Sequence, residues 1–401
     1  GCGTSEPSGQ ASEDEPTYVG RATCAECHQQ ETRNWRGSHH DLAMQHAADS
    51  TVRAAFDSSL VNPGGEQARF YRRDSVHYVR TEGPDGRVDA FEIAYTFGVE
   101  PLQQYLVETN GGRLQALNLA WDVEKNEWFD LYPDDTLRAG DTQHWTGRLH
   151  TWNTMCASCH STNLRKNFDP ESDTYDTQYS EVDVSCESCH GPGSRHVDWA
   201  RGEAAASSSS GEDVEHADGA YGLTVDLDTA RAELEIQTCA RCHSRRQKLS
   251  TEFRPGEEFL DHYAPRLLDE GLYHPDGQID DEVYVYGSFL QSKMYRRDVQ
   301  CTDCHEPHSL ELRLEGNALC TQCHSSPKFD TPDHHFHPPE TAGARCVSCH
   351  MPGKTYMQID FRRDHSIRIP RPDLSAELGT PNACTRCHTD RSADWAAEAA
   401  E

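Results

Sequence analysis

The motif Cys-x-x-Cys-His occurs eight times in this 401-residue chain, and no other feature constrains the fold as strongly. Sixteen of the 17 cysteines belong to these motifs, which begin at Cys24, Cys156, Cys186, Cys239, Cys301, Cys320, Cys346 and Cys384. Random placement of the same residues would give on the order of 0.04 such motifs in total. The repeated spacing therefore reflects one chemical requirement that eight segments share.

That requirement is the attachment of haem. Two thiols three positions apart can both add to the vinyl groups of one porphyrin, and the next residue then places an imidazole under the ring. Structural zinc is a weaker interpretation, because it pairs Cys-x-x-Cys knuckles and needs no histidine after each second cysteine. A thioredoxin-like motif would need a βαβ context that is absent here, and disulfides across Cys-x-x-Cys would be strained.

The sequence thus predicts eight covalent haem c groups, numbered here with their motifs 1 to 8. The predicted attachment residues are Cys24, Cys27, Cys156, Cys159, Cys186, Cys189, Cys239, Cys242, Cys301, Cys304, Cys320, Cys323, Cys346, Cys349, Cys384 and Cys387. The predicted proximal iron ligands are His28, His160, His190, His243, His305, His324, His350 and His388. A bound calcium ion would leave no signature in the sequence, and nothing indicates one.

The other histidines are candidates for the second axial ligand of each iron. The chain has 23 histidines and 5 methionines, so 15 histidines lie outside the eight motifs. Every haem can therefore be bis-histidine, and Met-ligated haems are at most a minority. Because such an iron has both axial positions filled, the pattern favours electron transfer over catalysis, and we assign no catalytic residue.

The composition agrees with a fold built around cofactors. Only 35% of the residues are hydrophobic and the mean hydropathy is −0.82, which is a thin core for this length. A compact chain of this size has a radius of gyration of about 21 Å, so eight haems must be close neighbours that supply the missing apolar interior. The formal charge of −30 argues against nucleic acid or an anionic membrane as a partner.

We expect a mostly irregular and α-helical fold with a β-rich insertion between the first and second haems. In that insertion apolar residues alternate with period two, and the glycines at 83 and 86 mark a hairpin turn. The predicted segments are an acidic tether or assembly segment at 1–20, a first haem segment at 21–64, the insertion at 65–135, a seven-haem domain at 136–388 with a loop at 202–222, and a C-terminal helix at 389–401.

Cys2 stands outside the motifs. Gly1-Cys2 resembles the end of a bacterial lipoprotein signal, so Cys2 is a candidate for lipid attachment, with a free thiol or an intermolecular disulfide as the alternatives. A membrane contact is expected only through such a lipid. Haem c is attached outside the cytoplasmic membrane, so we expect a location outside the cytoplasm, with the outer surface or the exterior favoured over the periplasm.

The motifs and the residues around them resemble the multihaem c-type cytochromes of the hydroxylamine oxidoreductase and tetrahaem cytochrome superfamily. The likeness extends to the octahaem modules that precede tetratricopeptide repeats in large bacterial proteins. The matching stretches are Tyr18-Val19-Gly20 before Cys24, Trp35 to His40, Cys186 to His196, Cys301 to Ser309 and Cys346 to Pro352.

The resemblance implies that histidines outside the motifs serve as distal ligands to other haems. Carried over position by position, the candidates are His40, His144, His196, His274, His308, His335, His337 and His365. His150 is a rival to His144, whereas His39, His46, His262 and His334 are interpreted as surface or supporting residues.

The family also contains enzymes, and this chain departs from their patterns. Nitrite-reducing octahaem relatives carry a lysine in one motif, and no Cys-x-x-Cys-Lys occurs here. Tyr356 and Lys354 are weak candidates for the tyrosine and lysine that other enzymatic relatives place at an active haem.

The leading hypothesis is therefore an electron conduit of closely packed bis-histidine haems. The expected partners are redox proteins with a cationic docking face, and head-to-tail polymerisation into a haem filament is a further expectation. The alternative is a redox enzyme that acts on a small nitrogen or sulfur oxyanion at one open haem.

Overall fold

The computed structural model describes residues 15–62, 67–202, 221–229, 231–250 and 253–400. Cys2, most of the segment 1–20 and most of the loop 202–222 lie outside these residues, so the predictions of a lipid anchor and of an N-terminal assembly segment stay predictions.

The helices are short and spread along the chain. The first seven are α1 (Arg21–Ala25), α2 (Gln29–Trp35), α3 (Trp152–Met155), α4 (Ala157–His160), α5 (Glu187–His190), α6 (Ser194–Arg201) and α7 (Ala232–His243). The others are α8 (Phe259–His262), α9 (Tyr286–Phe289), α10 (Ala318–Thr321), α11 (Ser326–Phe329), α12 (Pro332–His335), α13 (Cys346–His350), α14 (Pro372–Leu378) and α15 (Ala393–Ala400).

Nine strands between motifs 1 and 2 form one antiparallel sheet, which confirms the predicted β-rich region. They are β1 (Met44–His46), β2 (Asp57–Val61), β3 (Ala68–Arg73), β4 (Val76–Glu82), β5 (Val88–Phe97), β6 (Leu102–Thr109), β7 (Arg113–Ala116), β8 (Leu119–Asp122) and β9 (Glu127–Asp130). The order is β2-β3-β4-β5-β6-β8-β9, with β1 added to β5 and β7 added to β6. The sheet begins at Met44, earlier than the predicted boundary at residue 65, because two short strands precede the alternating run.

The sheet has a buried side chain layer on each face. One layer joins β3, β4, β5, β6 and β8 through residues such as Phe70, Tyr105 and Trp121, and Trp145 closes it. The other layer, which includes Met44 and Leu106, packs against Trp152 of α3 just before motif 2. Both layers are needed because successive residues of β6 point to opposite faces. The sheet therefore holds motif 2 against a rigid platform.

From motif 2 onward, the described residues form short helices, turns and three two-stranded ribbons. The ribbons pair β10 (Phe168–Asp169) with β11 (Thr174–Tyr175), β12 (Arg246–Lys248) with β13 (Tyr263–Pro265), and β14 (Gly353–Tyr356) with β15 (Asp360–Arg363). Among the described residues, no helix is both long and apolar enough to cross a bilayer.

Large apolar side chains are exposed in this second part of the chain. Leu260 is 63% exposed, Leu267 is 73% exposed and Phe336 is 70% exposed. These surfaces suit coverage by large apolar cofactors, as the thin core predicted from composition requires.

Candidate functional site: eight cysteine and histidine motifs

Each motif forms one tight helical turn that places its reactive groups together. In motif 1 the backbone N–H of His28 donates to the carbonyl of Cys24 at 2.9 Å, and the equivalent bond in motif 5 joins His305 to Cys301 at 3.0 Å. Residues three apart lie on the same side of such a turn, so both thiols face one direction. All sixteen motif cysteines lie in the described part of the chain, and none of them forms a disulfide there.

Six of the eight motif histidines face a second imidazole. Two imidazoles that bind one metal ion through bonds of about 2 Å have ring centroids about 6 Å apart. The observed centroid distances are 5.9 Å for His28 and His196, 6.3 Å for His40 and His243, 6.5 Å for His190 and His308, 6.4 Å for His305 and His365, 6.2 Å for His334 and His350, and 6.0 Å for His337 and His388. Each pair therefore leaves the space that one iron needs.

Hydrogen bonds at Nδ1 turn these imidazoles toward the space between them. The Nδ1 of His196 bonds the carbonyl of Tyr221 at 2.8 Å, that of His365 bonds the carbonyl of Arg363 at 3.0 Å, and that of His350 bonds the carbonyl of Arg368 at 2.8 Å. A carbonyl can only accept, so Nδ1 carries the proton and Nε2 keeps its lone pair. That tautomer is the one a metal-binding histidine requires.

Burial keeps several of these rings neutral. Burial, with a smaller effect of the nearby His308, lowers the pKa of His190 to about 4, and burial lowers the pKa of His40 to about 4. Burial also lowers the pKa of His243 and that of His365. In all four rings burial disfavours the protonated form, which leaves Nε2 available to bind a cation.

Cysteines of different motifs lie close enough to influence each other. The pKa of the Cys24 thiol is raised by Cys186, that of Cys239 by Cys301, and that of Cys320 by burial and by Cys346. The Cys242 sulfur lies 3.9 Å from the carbonyl of Ser158, and the Cys159 sulfur lies 3.9 Å from the carbonyl of Cys242. In a cytochrome these sulfurs would be thioethers on the edges of the rings, so their closeness brings ring edges together.

The histidines of motifs 2 and 6 have different surroundings. The ring of His160 contacts Phe97 at 5.3 Å, and the ring of His324 contacts Phe329 at 5.9 Å. Within the described ranges, neither ring faces another imidazole at the distance seen in the six pairs.

Three of the candidate distal histidines lie outside these pairs. His144 is buried and bonds the Thr146 hydroxyl at 2.7 Å, while His274 lies 3.4 Å from the Asp280 carboxylate. His335 accepts a hydrogen bond from the backbone of His337. His150, the rival to His144, has Nδ1 on the Ala116 carbonyl at 3.0 Å and a buried Nε2 without a partner.

His334, which the sequence analysis interpreted as a surface or supporting residue, lies opposite a motif histidine. Its ring lies parallel to that of His350, at 9° between the planes, whereas its neighbour His335 was the named candidate. The rotation of α12 about its own axis determines which of the two adjacent rings points to motif 7. A signal was present in the spacing, since His334 and His337 are three residues apart and can serve two neighbouring sites.

A cavity of about 360 Å³ lies among the later motifs. Its lining includes Arg386 of motif 8, and Lys354, Tyr356 and Arg362 of the β14–β15 ribbon that follows motif 7. Guanidinium groups match the geometry of carboxylates, including the propionates of a haem. The imidazole spacing, the Nδ1 bonds and this lining all fit covalently held haem.

Comparisons with known proteins agree with this geometry. A doubled CXXCH motif matches residues 294–329, and the family of cytochrome c554 and c-prime matches residues 23–78 and 133–191. No curated protein matches the sequence significantly. The two family matches cover motifs 1, 2, 3, 5 and 6 with their surroundings, and less than half of the chain.

Solved structures of cytochromes resemble this chain to different degrees. The outer cell wall cytochrome OcwA matches with a TM-score of 0.63 and 18% identity, over 95% of this chain and 86% of that one. An undecahaem cytochrome from the S-layer of Carboxydothermus ferrireducens matches with a TM-score of 0.49 and 16% identity, over 96% of this chain and 59% of that one. The octahaem sulfite reductase MccA of Wolinella succinogenes matches with a TM-score of 0.38 and 17% identity, over 88% of this chain and 58% of that one.

The likeness to OcwA shows that this chain has the fold of a multihaem c-type cytochrome. The Cys-x-x-Cys-His motifs and this shared fold together support haem c, with its iron, as the cofactor.

Proposed function

We propose that this protein carries electrons along a continuous array of c-type haems, one on each of its eight motifs. When bound, the haems supply iron centres that take up and release single electrons. The observation that carries the proposal is the set of six imidazole pairs at 5.9 to 6.5 Å, because an iron held between two histidines has no position left for a substrate.

The chain's own residues set the conditions for this function. The six pairs support bis-histidine ligation, which would give low potentials, since imidazole on both faces favours the ferric ion more than a methionine ligand does. Hydrogen bonds between segments hold neighbouring motifs together, such as those of Arg241 with the Ser188 carbonyl and of the Thr302 hydroxyl with Glu235. The acidic surface favours a partner with a cationic docking face, because opposite charges speed the encounter.

An extracellular or cell-surface site of action is part of this proposal. It is supported by the fold that the chain shares with a cytochrome named for the outer cell wall, and by the need to attach haem c outside the cytoplasmic membrane.

The proposal is tested by the spin state of the fully oxidised protein. Electron paramagnetic resonance should show at least six low-spin ferric irons, and stepwise reduction should spread over a range of low potentials. A spectrum dominated by high-spin iron would contradict an electron conduit.

A second candidate function is reduction or oxidation of a small nitrogen or sulfur oxyanion at motif 2. The observation in its favour is that His160 faces no imidazole within the described ranges, while Tyr284 lies near the motif 2 thiols Cys156 and Cys159. Arg362 lies 5.7 Å from the ring centroids of Tyr284 and Tyr356, and the Tyr356 hydroxyl is buried without a partner. Burial raises the pKa of Tyr356 to about 12, so its O–H stays available to donate.

Ligand addition distinguishes the two functions. If motif 2 is catalytic, nitrite, hydroxylamine or sulfite should shift a high-spin fraction of the ferric spectrum, and Arg362→Gln should weaken that shift. If the protein is only a conduit, none of the three compounds should change the spectrum at millimolar concentration.

A further inference from the structure

We propose that four cations beside motifs 2 and 4 form a binding site for a small oxyanion with two negative charges, such as sulfate or phosphate. The four are called the cationic cluster below, and they are Lys166, Arg241, Arg246 and Lys248. This inference goes beyond the proposed function, because an anion can bind here whether or not electrons pass between the motifs.

Two arginines of the cationic cluster meet at one serine. Arg241, inside motif 4, donates from Nη2 to the Ser158 carbonyl of motif 2 at 3.4 Å and from Nη1 to the Ser188 carbonyl of motif 3 at 3.1 Å. Arg246 on β12 donates from Nη2 to the Ser158 hydroxyl at 3.4 Å. Two guanidinium groups therefore lie against the same residue of motif 2.

The two lysines lie beside these arginines. Lys248 shares one face of β12 with Arg246, because residues two apart in a strand point the same way. Its cross-strand neighbour on β13 is Tyr263, and the Arg246 guanidinium lies 4.1 Å from the centroid of that ring. Burial lowers the pKa of Lys248 to about 8, and the positive charges of the other three members lower it further. The four side chains are thus near enough to repel one another.

The cationic cluster lacks a carboxylate of its own. Within the described ranges, none of its members forms an ion pair with an acidic side chain. Burial opposes a charge on Arg241, while the thiol of Cys242 and the phenols of Tyr263 and Tyr18 raise its pKa. Haem attachment turns the cysteine into a neutral thioether, which removes the first of these three influences.

The carboxylate of motif 3 is already engaged elsewhere. Glu187 accepts three backbone N–H groups at 2.8 to 2.9 Å, those of Val19, Gly20 and Gly193. Arg241 is only 9% exposed, and a buried charge without a partner of opposite sign is strongly destabilising. The folded holoprotein therefore needs an anion at the cationic cluster.

The haems of motifs 2 and 4 have their own carboxylates on the wrong side to supply it. Nη2 of Arg246 lies 3.7 Å from the sulfur of Cys159, and Arg241 directly precedes Cys242. In haem c the two thioether bonds lie at one edge of the porphyrin and the two propionates at the opposite edge. The anion must therefore be a dissolved ion or a propionate that belongs to another motif.

The composition of the cationic cluster indicates the class of ligand. A guanidinium group presents two parallel N–H groups to two oxygens, and an ammonium group adds a point charge. An anion with a single charge would leave most of the repulsion among four cations in place, so a dianion is preferred. In a chain with a formal charge of −30, these four side chains attract an anion that most of the surface repels.

Anomalous diffraction locates the ion without any variant. Crystals of the holoprotein soaked in selenate, the heavier analogue of sulfate, should show a selenium peak in contact with the cationic cluster, at a wavelength that separates selenium from iron. The same map shows whether a propionate lies there instead. If neither selenium nor a propionate lies within hydrogen-bonding distance of the four side chains, the proposal is overturned.

Calorimetric titration of the holoprotein with sulfate compares two lysine variants. Lys248→Gln removes one charge of the cationic cluster, and the Lys248 ammonium donates no hydrogen bond among the described residues, so the fold should persist. Lys125→Gln is the matched control, because Lys125 lies 3.2 Å from the carboxylate of Asp122 and 3.8 Å from that of Glu127. Sulfate should bind about tenfold more weakly to Lys248→Gln and with unchanged affinity to Lys125→Gln. Both variants must first show the haem content of the parent by mass.

The two sources of the anion give different results. If a dissolved ion fills the site, the parent binds sulfate and Lys248→Gln weakens that binding. If a propionate from another motif fills it, the parent takes up no sulfate and the map shows that propionate on the cationic cluster, which also supports an oxyanion site. Sulfate binding that the two variants weaken equally would place the ion elsewhere and overturn the proposal. None of these outcomes bears on the proposed electron transfer.

Discussion

His334 and His335 are adjacent on α12, yet it is the ring of His334 that lies parallel to the motif histidine His350. Side chains one position apart on a helix point in directions about 100° apart, so one residue decides which imidazole can bind. His335 instead accepts a backbone hydrogen bond from His337.

This difference gives a prediction with an internal control. His334→Met should raise the potential of one haem and add the red absorption band of a His/Met iron, because methionine stabilises the ferrous ion more than imidazole does. His335→Met should leave both unchanged. Potentiometric titration with optical detection checks this, and equal effects of the two substitutions would contradict the pairing.

Asp183 is a buried carboxyl group whose charge is balanced only in part. It is 2% exposed and pairs with Arg21, while its Oδ1 has no hydrogen-bond partner. Burial raises the pKa of Asp183 from 3.8 to about 6, even though Arg21 lowers it. The folded state therefore holds this proton more tightly than the unfolded chain does.

The sign of the pH dependence follows from that shift. As the pH rises from about 4 to about 6, the contribution of Asp183 to the free energy of unfolding should fall by about 2 kcal/mol, and it should stay constant at higher pH. In urea unfolding, the parent should lose stability relative to Asp183→Asn as the pH rises over this range. A difference that is independent of pH would be inconsistent with the raised pKa.

At the level of elements, the sheet is fixed to the motif region by close backbone approaches. Gly112, between β6 and β7, has φ +69, and a Cβ there would lie 2.1 Å from the carbonyl oxygen of Tyr175 in β11. Gly86, in the turn between β4 and β5, has φ +76 and nothing within 4 Å of its Cβ position. The two glycines share a conformation and differ in their surroundings.

Alanine at these two positions should therefore have unequal effects. Gly86→Ala should cost about 1 kcal/mol, which is the penalty for a left-handed residue with a Cβ. Gly112→Ala should cost at least about 2 kcal/mol more, because the backbone of β11 must also move away. Denaturant titration followed by circular dichroism measures both, and equal losses would show that the approach to β11 is unimportant.

The sequence predicted the regular elements well where one short-range rule governs them. The alternation around Phe70 and Val79 indicated the strands β3 and β4, and the glycines at 83 and 86 marked the turn between β4 and β5. The strand β1 was missed because it is short and pairs with residues far along the chain, as Met44 does with Phe97. The strand β2 pairs with the next strand, β3, but its residues are mostly exposed and show no apolar alternation. Local pattern cannot show such pairing.

At the scale of the whole molecule, the motif spacing indicated which residues would hold a cofactor but not how the motifs are arranged. Five candidate distal histidines, namely His40, His196, His308, His337 and His365, have rings opposite a motif histidine in this structure. Their partners lie on remote segments, as His40 and His243 do, and the order of the motifs depends on contacts such as Arg241 with both Ser158 and Ser188. Tertiary packing alone determines the histidine pairs and the arrangement of the motifs.

The central claim is that all eight motifs carry covalent haem. The proposed electron path, the apolar interior that the side chains do not supply and the role of the paired histidines all depend on it. The most direct test is the mass of the denatured, reduced protein produced in a host that attaches haem c. The account predicts the mass of the polypeptide, 45.1 kDa for these 401 residues, plus eight haems that survive denaturation. A mass with fewer haems, or with none, would contradict it.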